Sequence, residues 1–284
     1  MGVKISVITV CFNAADVLPA TIGSVLAQNC SDYEYIIKDG GSTDDTENII
    51  KGCREEFEQK GINFVYESGS DGGIYDAMNM AVSLAKGDLI NFMNAGDCFY
   101  DEDVLKKVSL AVENMPTDKI VAYGDCAVYE YGRFYRFAKA PEKIGQVMPF
   151  SHQTVFASRS LLAGHPFDTR YRYSADYDFL LTAKDEGAEF VDAKAIVAIT
   201  TADGTSSINY HDTLMETAGI QKKHGTFSSS EEELNKTEKI LSLKQFVLDH
   251  FPVCIKKMIR SYQISSRGQK IDVTVPPWFK KEDC

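Results

Sequence analysis

The sequence predicts an α/β fold built on an open, mostly parallel sheet, and three observations carry that prediction. Four apolar, β-branched runs, at residues 5–10, 35–38, 64–67 and 89–93, alternate with segments of helical periodicity. Each run leads into an acidic or glycine-rich loop: Cys11-Phe12-Asn13, then residues 39–45, 68–73 and 94–97. From Ile120 the texture changes to short paired strands. Strand and helix alternating at this spacing argue for right-handed βαβ units in the first 115 residues.

The elements follow in order. Leu18, Ile22, Val25 and Leu26 line one helical face, with Pro19 near its start. A second helix is predicted from 43 to about 57, capped by Ser42 or Thr43 and carrying acids in its first turn. Ile74, Met78, Ala81, Val82 and Ala85 form a third face that ends by Gly87, and Val104, Val108, Ala111 and Val112 form a fourth. Residues 120–129 and 133–137 flank Glu130-Tyr131-Gly132 as a hairpin. A short strand is predicted at 151–156, a helix opening at Ser174-Ala175-Asp176-Tyr177-Asp178, a last strand at 195–199 and a mobile loop at 200–207. Residues 208–240 read as polar helix. From Leu243 eight Lys or Arg stand against four acids among apolar residues, a pattern that fits a membrane surface, a packing helix or a dimer contact.

Composition narrows the class. With 284 residues the chain can bury a large core, and its net charge of −11 argues against nucleic acid as a partner. Seven cysteines with no Cys-x-x-Cys pair point to reduced cytosolic thiols rather than zinc or disulfides. No signal peptide or spanning helix is expected. Loops after parallel strands converge on one sheet edge, where ligands bind. Carboxylates gathered there repel one another unless a cation or hydrogen-bonding ligand offsets them, and a nucleotide carrying a divalent metal would do both.

Taken together, Ser6-Val7-Ile8-Thr9-Val10, Lys38-Asp39-Gly40-Gly41-Ser42-Thr43-Asp44, Asp71-Gly72-Gly73-Ile74-Tyr75-Asp76-Ala77-Met78-Asn79 and Asn94-Ala95-Gly96-Asp97 resemble family 2 glycosyltransferases, over roughly residues 4 to 210. The resemblance is to inverting, nucleotide-sugar-dependent enzymes of bacterial surface-polysaccharide type. It implies the GT-A fold, a Rossmann-like mixed sheet flanked by helices, here with a helical C-terminal extension. Residues 1–210 would be the catalytic domain, with a nucleotide-sugar half at about 1–115 and an acceptor half at about 116–210. Residues 211–284 would be the extension.

Residue by residue, the resemblance implies that Asp39 bonds the nucleotide base, with Thr9 and Asn13 lining the same pocket. Asp71 would contact base or ribose. Asn94 and Asp97 stand where an Asp-x-Asp motif holds Mn²⁺ or Mg²⁺ on the diphosphate, and Asp176 stands for the catalytic base. Asp97 is the only acid in its motif, a departure that thins the metal site. His152 and Gln153 resemble a pair found in bacterial polysaccharide enzymes and are assigned to the acceptor or donor-sugar pocket. The implied donor is a UDP-sugar. The implied acceptor is a glycan or polyprenyl-linked hydroxyl at the inner face of the cell membrane, with 243–284 as a peripheral membrane or homodimer contact.

Plainer readings stand beside these. Asp39-Gly40-Gly41 alone is an ordinary turn, and Asp97, Asp176 and Asp178 all fit helix starts. Asp178 is read as structural, His152 equally well as a core histidine, and Tyr75, Met78 and Met80 as helix packing. His211 and His224 lie in polar helical sequence, and nothing local selects either. A sugar-phosphate nucleotidyltransferase is disfavoured because the first loop holds no basic residue. A catalytically silent nucleotide-sugar-binding scaffold is the remaining rival.

Overall fold

The computed structural model describes residues 4–130, 132–201, 210–228, and 264–279 without 274, together with positions 230, 239 and 262. Four strands, β1 (Ile5–Cys11), β2 (Tyr33–Asp39), β3 (Asn63–Ser68) and β4 (Leu89–Phe92), lie in the order β4-β1-β2-β3, all parallel. Between them run α1 (Leu18–Leu26), α2 (Thr46–Gln59) and α3 (Ile74–Val82).

A parallel sheet of this kind is covered on both faces, so β1 and β2 are buried along their whole length. Side chains alternate faces along each strand. Ile5, Val7, Tyr35 and Ile37 pack with Leu18, Ile22, Ile50 and Phe57 from α1 and α2. Ile8, Val10 and Ile36 pack with Tyr75, Met78 and Ala81 from α3.

Beyond β4 the sheet turns antiparallel. β4 pairs with β8 (Val155–Ser158), then come β6 (Ile120–Glu130), β7 (Arg133–Phe137) and β10 (Gln269–Ile271). β9 (Glu189–Thr201) runs parallel to β6 and also pairs with the two-residue β5 (Cys98–Phe99). Helices α4 (Val104–Ala111), α5 (Arg159–Gly164), α6 (Ala175–Asp185) and α7 (Tyr210–Lys223) complete the described elements.

Several local expectations change. The strand predicted at 151–156 starts only at Val155, because His152–Thr154 form a 3₁₀ turn in which the Thr154 amide and hydroxyl both donate to the Ser151 carbonyl. The second helix starts at Thr46 instead of 43, because residues 42–44 are tied to the first loop. Asn13 N–H donates to Ser42 Oγ, Thr43 N–H to Asn13 Oδ1 and Ala15 N–H to Asp44 Oδ2. The extension is helical over α7, whereas its final described stretch is strand and coil. Ile271, Val273 and Val275 repeat every second residue, and with Trp278 and Phe279 they pack against Phe134 and Tyr129. The strand expected at 195–199 runs from Glu189 to Thr201, so Thr200 and Thr201 of the loop expected at 200–207 belong to β9, while 202–207 and the basic-apolar residues 243–261 lie outside the described residues. Among those described, no helix is long and apolar enough to cross a membrane.

Candidate active site

Two clusters form at the loop edge of the parallel strands. The first joins the ends of β1, β2 and β3. Asp39 is only 1% exposed, and its carboxylate accepts hydrogen bonds from Ser42 N–H, Ser42 Oγ and Ser68 Oγ. Lys38 is fully buried, and a buried ammonium needs partners. Its Nζ donates to the carbonyls of Asp39 (2.9 Å) and Gly69 (2.6 Å) and lies 3.9 Å from Asp71 Oδ2. Asp71 Oδ1 accepts the Gly73 N–H at 3.0 Å.

A Cβ on Gly40 would sit 3.0 Å from Asp71 Oδ2 and 3.3 Å from the Phe12 ring, so Phe12, Gly40 and Asp71 form one wall. Phe12 is 62% exposed there, an aromatic face left open to solvent. Asn13, at φ +48°, braces the second loop through its own amide and side chain. Thr9 departs from expectation: it is fully buried, its hydroxyl bonded to Tyr35 Oη (2.8 Å) and the Met93 carbonyl (2.7 Å). Its hydroxyl is spent inside the sheet, on β2 and on the residue after β4.

The second cluster gathers Asn94, Asp97, His152, Gln153 and Asp176, with Tyr75 added. The turn at 94–97 needs Gly96 at φ +98°, and Thr21 Oγ1 of α1 accepts the Gly96 N–H at 3.0 Å. Gln153 Nε2 donates to Asp97 Oδ2 at 2.8 Å, and Asp97 is 9% exposed. Asn94 Nδ2 lies 3.0 Å from His152 Nε2, while Asn94 Oδ1 is buried with no hydrogen-bond partner. On the other side of the ring, His152 Nδ1 lies 3.9 Å from Asp176 Oδ2. Asp176 Oδ1 accepts from Tyr75 Oη at 3.1 Å and from the Tyr177 N–H at 2.9 Å.

This bonding leaves Asp176 Oδ2 as the less committed oxygen, and the side chain is 21% exposed. Burial pushes the Asp176 carboxyl above the usual carboxylate range, opposed by the charge of His152 and the Tyr75 hydrogen bond. The burial has a visible source. Ile90, Phe92, Phe167 and Phe179 surround a void of about 30 Å³ that also touches His152 and Asp176. Tyr75 packs as expected against Phe167, with ring centroids 5.4 Å apart, but its hydroxyl reaches the carboxylate.

The remaining candidates lie elsewhere. His224 sits between Asp178 (3.0 Å) and Asp185 (2.7 Å), and His211 Nδ1 is 2.9 Å from Asp212. Among the described residues no group of three or more His, Cys, Asp or Glu side chains could hold a metal. Near the turn lie the Asp97 carboxylate, which accepts from Gln153, and Asn94 Oδ1, which has no hydrogen-bond partner; both are oxygen donors of the type a hard divalent cation takes. A wider cavity of about 640 Å³ is lined by His165, Asp168, Arg170, Asp178 and Lys223. Its charges already pair, Arg170 with Asp168 and Lys223 with Asp178.

Comparison with known proteins adds an independent line. The family model described as Glycosyl transferase family 2 matches residues 6–163. A Mycobacterium tuberculosis protein named "PGL/p-HBAD biosynthesis glycosyltransferase" is 34% identical over 176 residues, 61% of this chain and 67% of its own. Among solved structures, Staphylococcus aureus TarS 1-349 superposes with a TM-score of 0.58 at 18% identity, over 76% of this chain and 65% of that one. The mannosyltransferase PcManGT from Pyrobaculum calidifontis, solved with GDP-Man and Mn²⁺, gives 0.60 at 14% identity over 95% and 77%. The chain thus spans about two thirds of the length of TarS 1-349, and the shared architecture is the GT-A sheet with its flanking helices.

Proposed function

The chain belongs to glycosyl transferase family 2, and from that premise we propose that it transfers a sugar, with inversion, from a nucleotide sugar to an acceptor hydroxyl. The observation that carries the proposal is Asp176, fixed by Tyr75 and facing His152, beside the turn that holds Asn94 and Asp97. Residues 1–210 act as the catalytic domain, with the donor bound in the first half and the acceptor in the second. Residues 211–284 form the extension.

The nucleotide binds against the first cluster, with Phe12 as a stacking face and Asp71 and Asn13 at its rim. Asp39 reaches the base only if Ser42 or Ser68 yields a hydrogen bond. UDP is the favoured nucleotide, since S. aureus TarS has been solved with UDP and with UDP-GlcNAc. The reaction is one in-line displacement. Acceptor oxygen bonds to the anomeric carbon as the bond to the diphosphate oxygen breaks, and the nucleoside diphosphate leaves with that electron pair. The acceptor proton passes to Asp176 Oδ2, the oxygen left free by Tyr75. General-base help of this kind contributes about 10²–10⁴-fold. One base and no covalent intermediate make the product inverted.

Asp97, with Asn94 Oδ1 in the same turn, would hold Mg²⁺ or Mn²⁺. Such an ion, when bound, stabilises the charge that develops on the departing diphosphate. Gln153 orients Asp97 through its hydrogen bond, and His152 orients Asp176 and borders the sugar pocket. The acceptor is a glycan or polyprenyl-linked hydroxyl at the inner face of the cell membrane, in glycolipid or surface-polysaccharide assembly. The name of the M. tuberculosis relative, a biosynthesis glycosyltransferase, supports a biosynthetic role. The basic-apolar tail supplies either the membrane contact or a dimer contact.

The test is the anomeric configuration of the product, read by NMR of the purified glycoside. Inversion is expected, and retention would contradict a single base. Tight donor binding with no turnover on any acceptor would favour the silent scaffold instead.

A further inference from the structure

The helix that carries Asp176 begins without a side-chain cap, and Ser174 Oγ at its start is buried with no hydrogen-bond partner. Its first turn is held from outside by α7. The Arg172 N–H donates to Glu216 Oε1 at 2.7 Å and the Tyr173 N–H to Glu216 Oε2 at 2.8 Å, so both carboxylate oxygens grip the backbone just before Ser174. One helical turn on, Lys223 Nζ donates to both oxygens of Asp178 at 2.8 Å, and His224 bridges Asp178 and Asp185. Gln221 donates to the Gln146 carbonyl at 2.6 Å, and Tyr177 Oη donates to the Ile144 carbonyl at 2.8 Å. Ile220 is fully buried in the same core as Phe179 and Leu180.

Asp176 is therefore located from two sides. Tyr75 and His152 face its carboxylate from the sheet body, and α7 holds the backbone before it, at Arg172 and Tyr173, and the Asp178 side chain after it. The α7 residues lie beyond the 6–163 stretch matched by the family model. We propose that α7 is a positioning element for the catalytic base, with Glu216 as its principal positioning residue. The inference rests on Asp176 being that base. Glu216 touches no reacting atom, so its effect acts through the placement of Asp176, where a shift of about 1 Å can cost on the order of 10²-fold in rate.

The experiment compares the full-length wild type with Glu216→Ala, Glu216→Gln and Asp176→Asn. It reads kcat and KM on whichever UDP-, GDP- or dTDP-sugar the wild type hydrolyses fastest, affinity for UDP with Mn²⁺, and hydrogen exchange across residues 170–178. Glu216→Ala is expected to lower kcat about 10- to 100-fold, leave donor KM and UDP affinity unchanged, and speed exchange at Arg172 and Tyr173. Glu216→Gln keeps one acceptor oxygen and should recover part of the rate. It also carries the comparison if Glu216→Ala does not fold.

An unchanged kcat makes α7 a packing helix and overturns the proposal, as does a parallel loss of UDP affinity. An inactive Asp176→Asn beside a normal Glu216→Ala sinks the clamp alone. A fully active Asp176→Asn sinks the base assignment, and the clamp falls with it. Silence of the wild type on the whole panel contradicts both.

Discussion

Asp176 combines two properties that pull in opposite directions. As the proposed base it must be ionised to take a proton, yet its surroundings favour the protonated form, chiefly through burial. Its folded-state pKa therefore lies above the unfolded one. The stability this contributes is present below the unfolded value and is lost as pH rises through the folded value. At pH 7 the charged carboxylate is a net cost, so Asp176→Asn should lose about 10²–10⁴-fold in turnover while its melting temperature stays equal or rises. A loss of stability comparable to the loss of activity would contradict that reading. His152 opposes the upward shift, so His152→Ala should move the acid limb of kcat/KM to higher pH. A pH–rate profile showing movement to lower pH would argue against the His152–Asp176 pair.

Much of this residue-scale picture was legible in the order of short motifs, which named Asn94, Asp97, His152, Gln153 and Asp176. The Tyr75 contact was not, because its partner lies 101 positions away and only the fold brings the starts of α3 and α6 together. Thr9 misled for a related reason. Strand alternation turns its hydroxyl inward to Tyr35, which the motif alone does not show.

At the scale of elements, the β6–β9 pairing shows how register is held. The ladder shifts around Tyr123, Asp125 and Cys126, and Lys194 opposite adopts φ +54°. Gly124 sits at that irregularity, and a Cβ there would lie 2.5 Å from the Ala195 carbonyl oxygen and 2.6 Å from Val197 Cγ2. Gly124→Ala should destabilise the protein by about 1–3 kcal/mol, read from denaturant unfolding. An unchanged midpoint would mean that the strands separate freely at this point.

Nearby, burial alone would raise the Asp192 carboxyl, but hydrogen bonds from Lys139 and Lys194 outweigh it and hold the group at about 2. Its folded pKa lies below the unfolded value of 3.8, so its contribution is present above 3.8 and lost as pH falls towards 2. Asp192→Asn should be less stable than wild type at pH 7, with the gap closing between pH 4 and 2. A gap that persists at pH 2 would assign the loss to packing. The first four helices followed from periodicity, since each buries one face, and the first four strands from their continuous apolar, β-branched runs. The 3₁₀ turn at His152–Thr154 and the two-residue β5 did not, because neither is long enough to show a period.

For the whole molecule, the parallel half presents the loops proposed to bind the nucleotide, and Asp176 and the His152–Gln153 turn come to the same edge. A ligand that bridges the halves should stabilise both. Nucleoside diphosphate with Mn²⁺ at 100 times its Kd should add about 2.7 kcal/mol, visible as a rise in melting temperature that EDTA reduces.

The most direct measurement is release of nucleoside diphosphate by the purified protein from a panel of UDP-, GDP- and dTDP-sugars, with Mn²⁺, Mg²⁺ or EDTA, beside Asp176→Asn. The structure and family membership lead us to expect turnover of one nucleotide class, abolished by EDTA and by Asp176→Asn. Turnover that survives both would contradict the assignment of Asp97 to the metal and of Asp176 to the proton.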